Sequence, residues 1–159
     1  MSCDGIAALL ECLECRQLLS AGDLDSSFGS GGKYVPPAEP PVGYILPTDM
    51  AVQSDGKILF TGTGLFDVAP VVRLNANGTL DTSFGNNGFA RSGFGPYTSF
   101  GSAIAVGPGG KIAVGGFAGP YQNELPNQST LVIYRSNGQL DTSFDGDGIL
   151  NAPQFSREF

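Results

Sequence analysis

Two short runs carry apolar residues on both parities, where a sheet with one wet face would alternate: Lys57 is followed by Ile58, Leu59 and Phe60, and Lys111 by Ile112, Ala113 and Val114. That pattern predicts strands covered on both faces. Each run follows a turn signal, Ser54-Asp55-Gly56 in one case and Gly107-Pro108-Gly109-Gly110 in the other, with a further apolar stretch before it. Each block is therefore predicted to be a β-hairpin with glycine at the left-handed position. Downstream, "VVRLN" from Val71 and "LVIYR" from Leu131 predict a third strand, stopped by the turns "ANG" and "SNG", and "FARSGF" from Phe89 predicts a fourth.

These strands belong to an array. The block "DMAVQSDGKILFTG" at 49–62 lies without a gap on "AIAVGPGGKIAVGG" at 103–116. The phrase "NGTLDTSFG" at 77–85 returns as "NGQLDTSFD" at 137–145 and, more loosely, as "GDLDSSFG" at 22–29. A four-stranded antiparallel sheet packed on each side by a copy of itself is a propeller blade, and self-similarity at this period is its sequence signature. The expected fold class is all-β: a β-propeller-like array over residues 23–159, with hairpin blocks at 49–62 and 103–116 and LDxSFG corners at 24–29, 80–85 and 140–145. The small pairs Thr61-Gly62 and Gly115-Gly116 suit crowding near a propeller axis. About two full repeats and part of a third cannot close a ring of about four to eight blades. The chain is expected to be part of a longer protein, with self-association through open blade edges as the alternative.

In the corners, Leu and Phe stand four apart. One helical turn would place Leu80 and Phe84, Leu140 and Phe144, and Leu24 and Phe28 on one side as an apolar plug, with Asp81 and Asp141 as N-caps. The second copy carries an insert, "FAGPYQNELPNQST", where the first has "TGLFDVAP"; Tyr121 to Gln128 is the most individual stretch and is expected to be a long loop.

Composition supports this reading. The 159 residues include 24 Gly and 11 Pro, no Trp and no His, with a net charge of −7. Tight turns are favoured, and the scattered Lys and Arg exclude a nucleic-acid footprint. No run of about 18 apolar residues exists to span a bilayer. Cys3, Cys12 and Cys15 all fall in the leader, residues 1–22, which is expected to be a short helix or disordered; Cys12 and Cys15 form a bare CxxC without the partners a zinc site needs.

Two resemblances follow. "LECRQLLSA" at 13–21 resembles the LEPR-XLL segment near the N-terminus of large bacterial surface or exported proteins, through Leu13, Glu14, Arg16, Leu18 and Leu19; Cys15 stands where proline is usual. "DGKILFTG" with "VVRLNANGTLDTSFGNNG" resembles the delta-60 repeat, a bacterial β-propeller-like repeat. In the second copy Gly109 replaces Asp55, Ile133 replaces Arg73 and Asp145 replaces Gly85, while Arg135 keeps the parity to stand in for Arg73. The resemblance implies a secreted or cell-surface bacterial protein of many repeats, and supplies no catalytic residue.

The expected function is thus a non-catalytic interaction or adhesion scaffold with a protein or glycan partner, no catalytic or cofactor-binding residue and no resident metal. Calcium at Asp141, Asp145 and Asp147 is the rival reading of the last corner. A calcium-dependent carbohydrate-binding module would stack sugars on Tyr97, Phe117 and Tyr121. A propeller hydrolase or lyase would depend on carboxylates such as Asp55 or Glu124, neither of which sits in a recognisable constellation.

Overall fold

The computed structural model describes residues 22–35, 45–64, 69–92, 98–119 and 128–152. The expected leader helix, most of the 121–128 insert, Tyr97 and Glu124 lie outside them. Strands β1 (Ile45–Val52), β2 (Ile58–Gly64), β3 (Ala69–Leu74) and β4 (Phe89–Ser92) form an antiparallel meander, each pairing with the next. Strands β5 (Thr98–Val106), β6 (Ile112–Gly119), β7 (Gln128–Tyr134) and β8 (Ile149–Ala152) repeat it. The two blades are joined in one sheet through a single pair, Thr63 of β2 with Phe100 of β5. This is the all-β, incomplete propeller-like array that the repeats imply.

The turns form where the punctuation places them. Gln53 donates its amide to Lys57 O at 2.8 Å across the Ser-Asp-Gly turn, and Gly107 donates to Lys111 O at 2.8 Å across Gly-Pro-Gly-Gly. Both first strands carry a bulge, between Pro47 and Asp49 and between Gly101 and Ala103. The bulge explains the glycines expected at an axis. A Cβ on Gly62 would lie 2.0 Å from the Leu46 carbonyl oxygen, and one on Gly116 would lie 1.9 Å from that of Phe100. The crowding thus comes from the neighbouring bulged strand, which only glycine can approach so closely.

Each blade has a leading face, toward the N-terminal end of the array, and a trailing face. The trailing face of the first blade (Leu59, Val71, Phe84, Ala90) packs on the leading face of the second (Ile104, Ile112, Val114, Val132, Tyr134) as one core. A smaller core lies on the leading face of the first blade, where Val72, Leu74 and Phe89 meet Phe28 and Tyr34 of the 22–35 corner. The expectation of strands buried on both faces therefore holds in part: Leu59 and Ile112 are fully buried, whereas Ile58, Phe60 and Ala113 are half-buried.

The corners correct the expectation of a helical turn. Phe84 donates its amide to Asp81 O at 3.1 Å, a β-turn closure, and no helix forms. Leu80 and Phe84 consequently diverge, Leu80 joining the smaller core and Phe84 the larger. The plug is assembled between copies: Phe28 shares the smaller core with Leu80, and Phe84 the larger with Leu140.

Candidate functional site

The corner is the most elaborated local structure in the chain. In the first blade, Asp81 accepts the Ser83 amide at 3.1 Å and its hydroxyl at 2.6 Å on Oδ1, an Asx turn in place of the expected helix N-cap. Its Oδ2 meets Lys57 Nζ at 3.0 Å and Arg73 Nε at 2.8 Å. Burial alone would raise the Asp81 pKa; the bonds from Ser83 and Lys57 and the Arg73 charge outweigh it and hold the carboxyl well below the usual range. The second blade repeats the clamp in looser form. Asp141 Oδ2 meets Lys111 Nζ at 2.7 Å, and Oδ1 lies 3.7 Å from Arg135 Nε. Lys111, then Ser143, lowers the Asp141 pKa, while burial opposes them. Arg135 does take the task that Ile133 cannot perform, but its side chain is 51% exposed where that of Arg73 is 9% exposed.

No sequence pattern announces the lysine–aspartate clamp. Lys57 and Lys111 end their hairpin turns, whereas Asp81 and Asp141 open corners beyond another strand and a loop of unequal length. No fixed spacing links them. The available signal was that lysine and aspartate recur in both copies of a chain with only 8 basic residues.

The corner also reaches forward into the next blade. The Gly29 amide donates to Asn77 O at 2.7 Å, and the Gly85 amide to Asn137 O at 2.8 Å. The preceding phenylalanine packs against the glycine of the same turn: a Cβ on Gly78 would fall 2.8 Å from the Phe28 ring, and one on Gly138 would fall 2.9 Å from that of Phe84. Arg73 completes the joint, its guanidinium 4.4 Å from the Phe84 ring centre and its Nη1 donating to Ser136 O at 2.7 Å. The repeated phrase is thus a coupler that seats each blade on the Asn-Gly turn of the next.

Tyr97, Tyr121 and Glu124 lie outside the described residues, and the described candidates serve the frame. Asp141 is committed to Lys111, Arg135 and Ser143, while Asp147 caps the Ile149 amide at 2.8 Å. Among the described residues no group of three His, Cys, Asp or Glu side chains converges to hold a metal ion, so Asp141, Asp145 and Asp147 do not form the calcium cage considered for them. Asp55 is exposed, accepts the Lys57 amide at 3.2 Å and closes its hairpin turn. Phe117 is exposed on the trailing parity of β6.

What the fold does expose is the outside of the two-blade unit. Met50 and Val52 project from β1, and beside them a cavity of about 610 Å³ is lined by Phe28, Tyr34, Met50, Ile58, Phe60 and Leu74. On the opposite side Leu150 and Phe117 are exposed, and Phe144 is half-buried. Among the described residues no helix is long and apolar enough to cross a membrane.

No curated protein and no solved structure matches the chain. Residues 53–84, from the first hairpin turn through β2 and β3 to the Phe84 corner, match the family described as a domain of unknown function (DUF5122), beta-propeller. The match covers one copy of the repeated unit and supports a β-propeller-like repeat.

Proposed function

We propose that the chain is a non-catalytic interaction or adhesion scaffold of the bacterial surface or exported fraction, built of delta-60-type repeats behind a LEPR-XLL-like leader. The observation that carries this reading is the division of labour among side chains. The recurring carboxylates Asp81 and Asp141 are held in ion pairs that fasten corners to hairpins, while the apolar faces at both ends of the two-blade unit stand exposed. Charge serves the frame, and apolar area is left for contacts.

The test combines melting and turnover. Melting temperatures of the whole chain are expected to agree in calcium and in chelator, and glycoside and ester substrates are expected to remain intact. A calcium-dependent rise in melting temperature accompanied by glycan retention would transfer the function to carbohydrate binding. Turnover lost in Asp55→Asn would make the protein an enzyme. Cell fractionation with Arg16→Ala and Leu18→Ala tests export: the leader variants are expected to accumulate inside the cell.

A further inference from the structure

We propose that the trailing face of the second blade docks on the leading face of the first blade of a second copy, the 140–148 corner displacing the 22–35 corner from its place. The contact inside the molecule is the template. There, a corner phenylalanine covers the glycine of an Asn-Gly turn and the next amide bonds the asparagine carbonyl.

The last corner repeats the geometry of the engaged ones, and among the described residues no Asn-Gly turn lies against it. Phe144 N donates to Asp141 O at 2.9 Å and Gly148 N to Phe144 O at 2.8 Å, matching the first blade, where Gly88 N donates to Phe84 O at 2.8 Å. Asp145 holds φ at 49° where Gly85 has 54°, a left-handed conformation that a non-glycine residue adopts at a cost. The Asp145 amide has no backbone acceptor among the described residues, whereas those of Gly29 and Gly85 do.

The two open faces also fit each other by exchange of volumes. Inside the molecule the trailing face presents Leu59 and Ala90; at the equivalent places the second blade presents Ala113 and Leu150, so large and small trade positions at constant total size. Thr61 presses on Gly101 inside, where a Cβ would lie 2.1 Å from Thr61 Oγ1. In the proposed contact Gly115 takes the place of Thr61 and faces Pro47 in the place of Gly101, the reverse combination. Ile133 takes the place of Arg73 on the docking face, and Arg135 keeps the charge on the same strand parity two residues on.

On the receiving side, the first blade offers the second Leu59, Val71, Phe84 and Ala90, but the 22–35 corner offers the first blade only Phe28 and Tyr34. The cavity of about 610 Å³ lies where the missing side chains would insert. The 22–35 corner is therefore a tethered competitor: docking between copies is bimolecular, and the effective concentration of that corner sets how much free chain is needed to displace it. The contact is heterologous, so it extends head to tail, into a ring where the rotation per copy closes and into a filament where it does not.

The test is sedimentation of the whole chain over a concentration series, with circular dichroism confirming the fold. Phe28→Ala is expected to tighten self-association by about tenfold or more by freeing the seat, and Phe144→Ala to reverse this in the double variant. A folded Phe28→Ala that stays monomeric, or one whose association ignores Phe144→Ala, overturns the proposal. Should Phe28→Ala fail to fold, the wild type is compared with Phe144→Ala: association lost in the variant supports docking, and equal association or none in both overturns it.

Discussion

Ile104 and Met50 occupy equivalent places on the leading faces of the two blades, yet Ile104 is 7% exposed and Met50 is 60% exposed. The strand plan and the bulge are the same in both, and each hairpin turn closes with the same backbone bond, from Gln53 N to Lys57 O and from Gly107 N to Lys111 O. What differs is the neighbour: the second blade is covered by a whole blade, the first by a corner. Burial in such an array is a property of the interface between repeats and is only partly written within each repeat. The corners teach the same lesson, since Phe84 is fully buried against the second blade while Phe144, with the same local turn, is half-buried.

Removing the ring from each corner should break the comparison most sharply. Phe84→Ala deletes a fully buried ring between blades and is expected to destabilise by about 4 kcal/mol. Phe144→Ala should cost about 1 kcal/mol in dilute monomer, since its ring is half exposed to water. Urea unfolding of the two variants measures both; equal losses would mean that the blades do not depend on each other through the corner.

The seat of the ring gives the next effect. Gly138 and Gly146 share a left-handed backbone, with φ of 87° and 89°, so alanine strains both. Beyond that strain, a Cβ on Gly138 would fall 2.8 Å from the Gly85 amide nitrogen, whereas one on Gly146 meets nothing within 4 Å. Gly138→Ala is expected to cost roughly 3 kcal/mol and Gly146→Ala roughly 1 kcal/mol. The difference between them isolates the contact between blades from the conformational preference.

These contrasts mark where sequence reading succeeds. The hairpins at Ser54 to Gly56 and Gly107 to Gly110 were legible because turn chemistry is local, and the blade repeat was legible because identical residues recur in register. The Lys57 to Asp81 clamp was not legible, because it joins segments separated by a strand and a loop of unequal length. The divergence of Leu80 from Phe84 was hidden for a similar reason. Four-residue spacing brings side chains together on a helix, but this turn closes early and lets neighbouring blades claim each residue separately. The open faces could be read only from coordinates, since Met50 and Ile104 are chemically alike.

The clamps supply the third prediction. Asp81→Asn leaves an oxygen for Ser83 but strips the charge facing Lys57 and the buried Arg73, and is expected to cost about 2 kcal/mol in urea unfolding. Asp141→Asn should cost less. Its partners Lys111 and Arg135 are about half exposed (56% and 51%), so solvent and salt screen the pair. Raising ionic strength should therefore weaken the wild type in proportion to the Asp141 clamp and leave that of Asp81 nearly untouched.

The smallest effects are in the pH limbs, which separate the clamps from the interface core. Asp81 and Asp141 have folded pKa values below the unfolded carboxylate value of about 3.9. The unfolded state therefore binds protons first as pH falls, so the stabilisation is complete above the unfolded pKa and is lost progressively below it. Tyr134, buried between the blades, shows the opposite limb: burial pushes its hydroxyl up to about 12. Its contribution is complete below the unfolded value of about 10 and is lost as pH rises from there toward the folded value. Chemical denaturation across pH should show Asp81→Asn flattening the acid limb alone and Tyr134→Phe flattening the alkaline limb alone. A Tyr134→Phe variant that retained the full alkaline loss would place the hydroxyl in water, and the packed interface between the blades would then be wrong.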